Sequence, residues 1–599
     1  MSHLDTLITD HLDLWSAAVR PKSSAGRGSN SKLELTGIKK LRELILALAV
    51  RGKLVPQDPS DEPASMLLER IAAEKTRLVI DRKIKKPKAL PEIGEEEKPF
   101  ELPEGWEWCR LDELSLTSEA GWSPQCDNTP RKNEQWGVLK VSAVTWGKFL
   151  AEENKALPEP LEPKPEYEVL PGDFLISRAN TAELVARAVI APANTPCKLM
   201  MSDKIIRFRF SHFVNSSYIC LANGSCTSRE YYSRVAGGTS SSMKNVSRLQ
   251  IQNLVIALPP LSEQKRILDN CEKLMALCDQ LEQQSEAQLA AHQTLVETLL
   301  ATLTDSSDAD DLAQNWARLS THFDTLFTTE ASIEALKQTI LHLAVMGKLV
   351  PQDPSDEPAI ELLNRLVSKR DEWLKKESKE NSEAMTMLRK LKKLTEPKAP
   401  FELPKSWACV HLIQLTRMLV DCHNKTAPYV DAGIPIIRTT NIRDRQFIDK
   451  ELKFISQDTY DYWSRRCPPE QGDIIFTREA PMGEALIIPV GEKWCLGQRT
   501  MLIRPTHAFV SNEFLLLALT EPNLLERASE HAVGLTVKHL RVGDVENLNI
   551  PLPPLAEQHR IVAKVDELMT LCDQLKSRLQ TSQQTQLALA ESLVEGALS

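Results

Sequence analysis

The 599-residue sequence has no C-x-x-C pair among its 12 cysteines and no histidine cluster at zinc-ligand spacing. That removes the common thiolate–metal and dithiol redox motifs. No apolar run approaches the ~18 residues that a membrane-spanning helix needs. The opening MSHLDTLITD is acidic and lacks the basic and apolar regions of a signal peptide. Together these absences predict a reduced, cytoplasmic protein with structural cysteines. Excess positive charge is missing too. A formal charge of −9 opposes a general polyanion binder, although net charge says little about one face of one domain. Apolar residues at 42% and charged residues at 26% are ordinary for a globular protein.

What is present is an internal duplication. Gly52 to Ala64 reads GKLVPQDPSDEPA, and Gly347 to Ala359 repeats those thirteen residues without a change. PFELPEGWEW from Pro99 returns as PFELPKSWAC from Pro400, and PGDFLISR (171–178) as QGDIIFTR (471–478). LPPLSEQKRI (258–267) returns as LPPLAEQHRI (552–561). The offset barely drifts, from 295 at Gly52/Gly347 to 300 at Gly172/Gly472 and 294 at Leu258/Leu552. Residues 101–256 and 402–550, by contrast, match only at a few framework points. Two copies of one scaffold therefore carry two different inserts.

Within a unit, Ile38, Leu41, Leu44, Ile45 and Leu48 fall at helical spacing, and Gly52 sits where a C′ glycine would end the helix. A second helix is expected near 63–82, followed by charged, proline-containing linkers at 83–99 and 389–400. The inserts alternate short apolar runs with Gly, Pro and Asn turns, which predicts compact α/β domains. After each LPPL comes a long helix. Ile267, Cys271, Leu274, Cys278, Leu281, Ser285, Gln288, His292, Leu295 and Leu299 follow heptad spacing. Ile561, Val565, Leu568, Cys572, Leu575, Leu579, Ser582, Gln586, Leu589 and Leu593 repeat it. Such helices either pair with each other or pack as single bundle helices on their own domains.

This layout resembles the specificity (S, HsdS) subunits of type I restriction–modification systems over nearly the whole chain. The resemblance rests on GKLVPQDPxDEPA, on FELPxxW opening each insert, on the GD-containing strand ending in [ST]-R, and on LPPLxEQxRI leading into a long helix. It implies two α/β target-recognition domains, each reading one half of a split double-stranded DNA site. It also implies long helices that pair as an antiparallel coiled coil with pseudo-two-fold symmetry, act as a ruler and dock two adenine methyltransferase subunits. Forty residues (261–300) make a rod of about 60 Å, nearly two DNA turns of about 34 Å. S-adenosylmethionine would belong to the methyltransferase subunits, and ATP and Mg to a separate restriction subunit; this chain is expected to bind no cofactor or metal and to be non-catalytic. The sequence agrees by omission. It has no [DNS]-P-P-[YFW] methyltransferase loop and no G-x-x-x-x-G-K-[ST] phosphate loop.

On this reading the chain divides into an N-terminal amphipathic segment and tether (1–32) and a helical region (33–97). The first recognition domain (98–259), a central long helix (260–304) and a connection (305–330) follow. The second copy has a helical region (331–399), a recognition domain (400–553) and a C-terminal long helix (554–599).

DNA affinity comes from phosphate contacts and specificity from base edges, so the candidates are polar and basic residues in turns of the inserts. Residues 171–260 carry ten Arg and Lys, Arg207 among them, against four acids. A solvated face is the plain alternative for any one of them. The loop GGTSSSMKNVSR contributes Thr239, Ser240, Ser241, Lys244 and Asn245, and its counterpart VGLTVKHLRVGD contributes Thr536, Lys538 and His539. Either could equally be a surface hairpin. LKVSAV (139–144) aligns with IRTTNI (437–442), giving Lys140, Ser142, Arg438, Thr440 and Asn441. Ala143 departs from the Asn common in the family at that position. Arg178 and Arg478 close the matched strand, with Asn180 just beyond; each arginine binds phosphate or pairs with a framework carboxylate. Arg443 lies in a basic cluster among acids. Two other readings are an enzyme that fuses recognition to methylation or cleavage, and a coiled-coil scaffold that binds only proteins. A methyltransferase-only system is a variant of the first reading.

Overall fold

A computed structural model describes residues 10–21, 33–87, 89–126, 128–132, 134–145, 147–238, 243–306, 309–530 and 539–598. The chain forms two compact units, one of residues 1–287 and 582–599, the other of 288–581. Each long helix therefore begins in one unit and ends in the other.

The repeated motifs turn out to be parts of one lock. In the first unit the helix Thr36–Val50 ends at Gly52, whose φ of 67° is left-handed, and Gly347 takes 73° after Glu330–Val345. A Cβ at Gly52 would lie 2.5 Å from the Pro103 ring and 3.0 Å from Trp106; at Gly347 the same clash is with Pro404 and Trp407. Glycine is thus required twice over, by backbone conformation and by the close approach of the FELPxxW tryptophan. The tryptophan is held in turn. Trp106 Nε1 donates to Glu263 at 3.0 Å and Trp407 Nε1 to Glu557 at 3.0 Å. Gln57 also donates to Glu263, and Gln352 to Glu557. Arg266 pairs with Asp61 and Arg560 with Asp356, both at 2.7 Å. Burial raises the Glu263 and Glu557 pKa values, while the donated hydrogen bonds pull them down.

The ends of each insert pair as antiparallel strands. Glu107–Arg110 pairs with Val255–Leu258, and Ala408–His411 with Asn549–Leu552. An insert therefore enters and leaves its scaffold at one place. Inside, Ser115–Ala120, Ile205–Phe210, Phe174–Ser177 and Ala188–Ile190 form a four-stranded antiparallel sheet in that order. Thr416–Asp421, Thr500–Pro505, Ile474–Thr477 and Ala485–Ile487 repeat it. A three-stranded sheet with one parallel pair accompanies each, so the domains mix helices with largely antiparallel sheet. The GD aspartates anchor these sheets. Asp173 accepts from Arg207 at 2.8 Å, and Asp473, fully buried, takes two bonds from Arg504 at 2.8 and 2.7 Å. Arg207, read from sequence as part of a basic face, is 2% exposed and is spent on this ion pair and on Glu119.

Three sequence expectations change. The heptad seam holds only for its first half. Ile267, Cys271, Leu274 and Cys278 are buried, but further along Val296 and Leu300 are buried while Leu295 is 50% exposed. Likewise Leu587 and Ala590 are buried where Leu589 is 52% exposed. The helical period of about 3.6 overtakes the 3.5 heptad period by one residue over this length, as a four-residue stutter would. Residues 12–19, expected on a tether, pack on their own unit, with Trp15 fully buried and its carbonyl against Gly37. The first residues of the 389–400 linker are helical, because Ser382–Leu391 continues to 391.

Among the described residues no helix is long and apolar enough to cross a membrane, and no group of three or more His, Cys, Asp and Glu could hold a metal.

Candidate nucleic-acid interface

The last residue of the GD strand opens a corner that is built the same way in both units. Arg178 N–H donates to Lys204 O, and Arg478 N–H to Arg499 O, both at 2.9 Å. On the other side Val246 N–H donates to Arg178 O at 2.9 Å and Leu540 N–H to Arg478 O at 3.0 Å. The loop candidates are thereby brought to the strand candidates. Ala179–Asn180 pairs with Lys244–Asn245, so Lys244 lies opposite Asn180. His539 holds the place of Asn245 in the second unit. Thr239, Ser240, Ser241, Thr536 and Lys538 lie outside the described residues.

The same framework presents different chemistry. Arg478 pairs with Asp421 at 2.9 Å and donates to Leu540 O at 3.1 Å, so it meets a framework carboxylate. The position of Asp421 in the first unit is Ala120: Ala120 sits opposite Ile206 as Asp421 sits opposite Met501. Among the described residues Arg178 accordingly meets no carboxylate. Asn245 is exposed, Lys244 is half-buried with Nζ on Gly238 O at 2.7 Å, and Asn180 donates to Thr145 at 3.1 Å.

The paired turns at 139–144 and 437–442 are mostly consumed internally. Asn441 is fully buried; its side-chain oxygen accepts from Arg438 N–H, and its amide donates to Ile448 O and Lys450 O. It braces a turn, and Ala143 at 0% exposure is its packed substitute. Ser142 donates to Glu153 at 2.6 Å and Lys140 lies 3.6 Å from the same carboxylate, so both are tied down. Those two contacts hold the Glu153 pKa low. Arg438 donates to Glu451 O at 2.6 Å and Arg443 to Thr439 O at 2.9 Å, while Thr440 is exposed.

Sequence reasoning missed the residues that follow the first strand of each four-stranded sheet. Lys164 sits over the Trp122 ring in one insert; in the other Arg465, read from sequence only as part of a basic cluster, sits over Tyr462, whose ring also meets His423. The only signal was an aromatic or imidazole ring just past each strand, too short to carry a period.

Two stretches, residues 103–291 and 421–582, match the family described as the type I restriction modification DNA specificity domain. The chain is 40% identical over 609 residues to the type I restriction enzyme EcoAI specificity subunit of Escherichia coli, covering all of both chains. It is 40% identical over 617 residues to the EcoEI specificity subunit of the same species, again over the full length of both. A crystal structure of the HsdS subunit from Thermoanaerobacter tengcongensis aligns over 84% of this chain and 98% of that one, at 18% identity and a TM-score of 0.39.

Proposed function

The chain belongs to the type I restriction–modification specificity-subunit family, and from that premise we propose that its two inserts read the two halves of a split, asymmetric DNA target. One observation carries this: a corner with the same backbone bonding in both units displays Arg178, Lys244 and Asn245 in one insert and His539 beside a neutralised Arg478 in the other. Two copies of one reader with different side chains suit two different half-sites. Arg178 supplies a phosphate contact, and Asn245 and His539 are placed to reach base edges. Arg478 positions the following loop.

In this account the long helices pair antiparallel and set the spacer between the half-sites. They dock two adenine methyltransferase subunits, which bring S-adenosylmethionine, and restriction subunits bring ATP and Mg. The chain itself is non-catalytic, and the assembly works in the cytoplasm. The shared start and end of each insert supports modular reading. Replacing residues 101–256 with the corresponding domain of a relative should change one half of the methylated motif. A change in both halves would overturn the scheme.

A further inference from the structure

The strand Thr416–Asp421 leads into a surface the mechanism above does not use. Cys422 N–H donates to Thr500 O at 3.1 Å, and the chain then turns outward at His423. The imidazole lies 4.4 Å from the Trp463 ring and 5.6 Å from Tyr462, centroid to centroid. The Arg465 guanidinium sits 4.1 Å over the Tyr462 ring, which is 54% exposed. Lys425 and Arg465 are both exposed, and among the described residues neither meets a carboxylate. Arg466 differs: it donates to the carbonyls of Asp421 and Cys422 and lies 3.7 Å from Glu383.

Burial, then the charges of Arg465, Lys425 and Arg466, lower the His423 pKa. The ring is thus a flat face within a positive field. Flat rings beside unpaired cations suit a polyanion with sugar faces, as nucleic-acid backbones are. The surface is also continuous with the corner. Gln498 donates to Asn424 O at 3.1 Å, and its neighbour Arg499 holds the Arg478 N–H. In the first insert Gly121 N–H donates to Ile205 O, and Trp122 follows with Lys164 4.5 Å over its ring. The arrangement there is the same, reduced to one ring and one cation.

We propose that the His423–Tyr462–Trp463 shelf, with Lys425 and Arg465, is a sequence-independent clamp on the DNA backbone beside the base-reading corner of the second insert. The proposal rests on the reading of that insert as a DNA-binding domain. Lys425 and Arg465 each neutralise a phosphate, and Tyr462 holds Arg465 in place while covering a sugar.

The test uses the full chain in complex with its methyltransferase, bound to the target duplex over a series of salt concentrations. Arg465→Ala and Lys425→Ala should each flatten the slope of log K against log salt by about 1. Arg465→Lys should restore it. Tyr462→Ala should weaken binding about fivefold. The methylated motif should stay the same in all four. Unchanged slopes and affinities in the alanine variants, with the wild type still binding specifically, would overturn the clamp alone. An altered motif would overturn its sequence independence. A wild-type complex without specific binding would instead sink the reading of the insert itself.

Discussion

Exchanging one carboxylate between the two corners should exchange their salt behaviour. Asp421 neutralises Arg478 at 2.9 Å, and both are largely shielded, at 18% and 16% side-chain exposure. Ala120 leaves Arg178 without that partner. Each cation–phosphate contact contributes about −0.9 to the slope of log K against log salt. Arg178→Ala should therefore flatten the slope by about 0.9, a factor of about 3.5 in affinity change between ~50 and ~200 mM salt. Its stability cost should stay within about 0.5 kcal/mol, because no framework contact is lost. Ala120→Asp should reproduce the flattening without removing the arginine. Arg478→Ala should leave the slope alone and instead lower the thermal midpoint, because Asp421 loses its cation and Leu540 O its donor. Fluorescence anisotropy with target DNA and the methyltransferase-bound chain reads the slopes, and thermal unfolding reads the rest. If Arg478→Ala flattened the slope while Arg178→Ala did not, the assignment of roles would be reversed.

Asp473→Ala should destabilise the second unit by about 3–5 kcal/mol in urea unfolding, because it strands the buried Arg504 guanidinium. Glu263→Gln keeps an acceptor for Trp106. The glutamate's folded pKa is raised, so its favourable contribution is complete below the unfolded value and is lost as pH rises through the folded one. Stability measured over pH 4–8 should therefore fall for the wild type relative to Glu263→Gln, and a wild type that gained stability relative to Glu263→Gln as pH rose would contradict the burial account. Val296→Asp should cost about 3 kcal/mol, and Leu295→Asp less than about 0.5 kcal/mol; equal costs would restore the unbroken heptad. Inserting seven residues near Gln284 should lengthen the DNA spacer by about three base pairs, since seven helical residues add about 10 Å. An unaltered spacer would mean that the helix is not the ruler.

The duplication, the helix ends at Gly52 and Gly347 and the two long helices were legible because each is written in local spacing. The reason for those glycines was not. It lies in the approach of Trp106 and Trp407 from 54 and 60 residues away. The expected seam is buried at its first four positions and then shifts, because heptad and helical periods separate only with length. Polar residues were ambiguous for a different reason. Asn441, Ser142 and Lys140 have the chemistry of base and phosphate readers, but sequence does not show that Asn441 and Ser142 already hydrogen-bond inside the domain and that Lys140 pairs with Glu153. A turn's internal bonding leaves no periodic trace. The aromatic shelf was missed because Tyr462, Trp463 and His423 come together only through tertiary packing, 39 positions separating His423 from Tyr462.

The most direct test of the whole account is co-expression of the chain with its cognate adenine methyltransferase, followed by genome-wide mapping of N6-methyladenine. A single split, asymmetric motif, methylated only when both chains are present, is the predicted result. A stable complex that methylates nothing, or a continuous motif without a spacer, would contradict it.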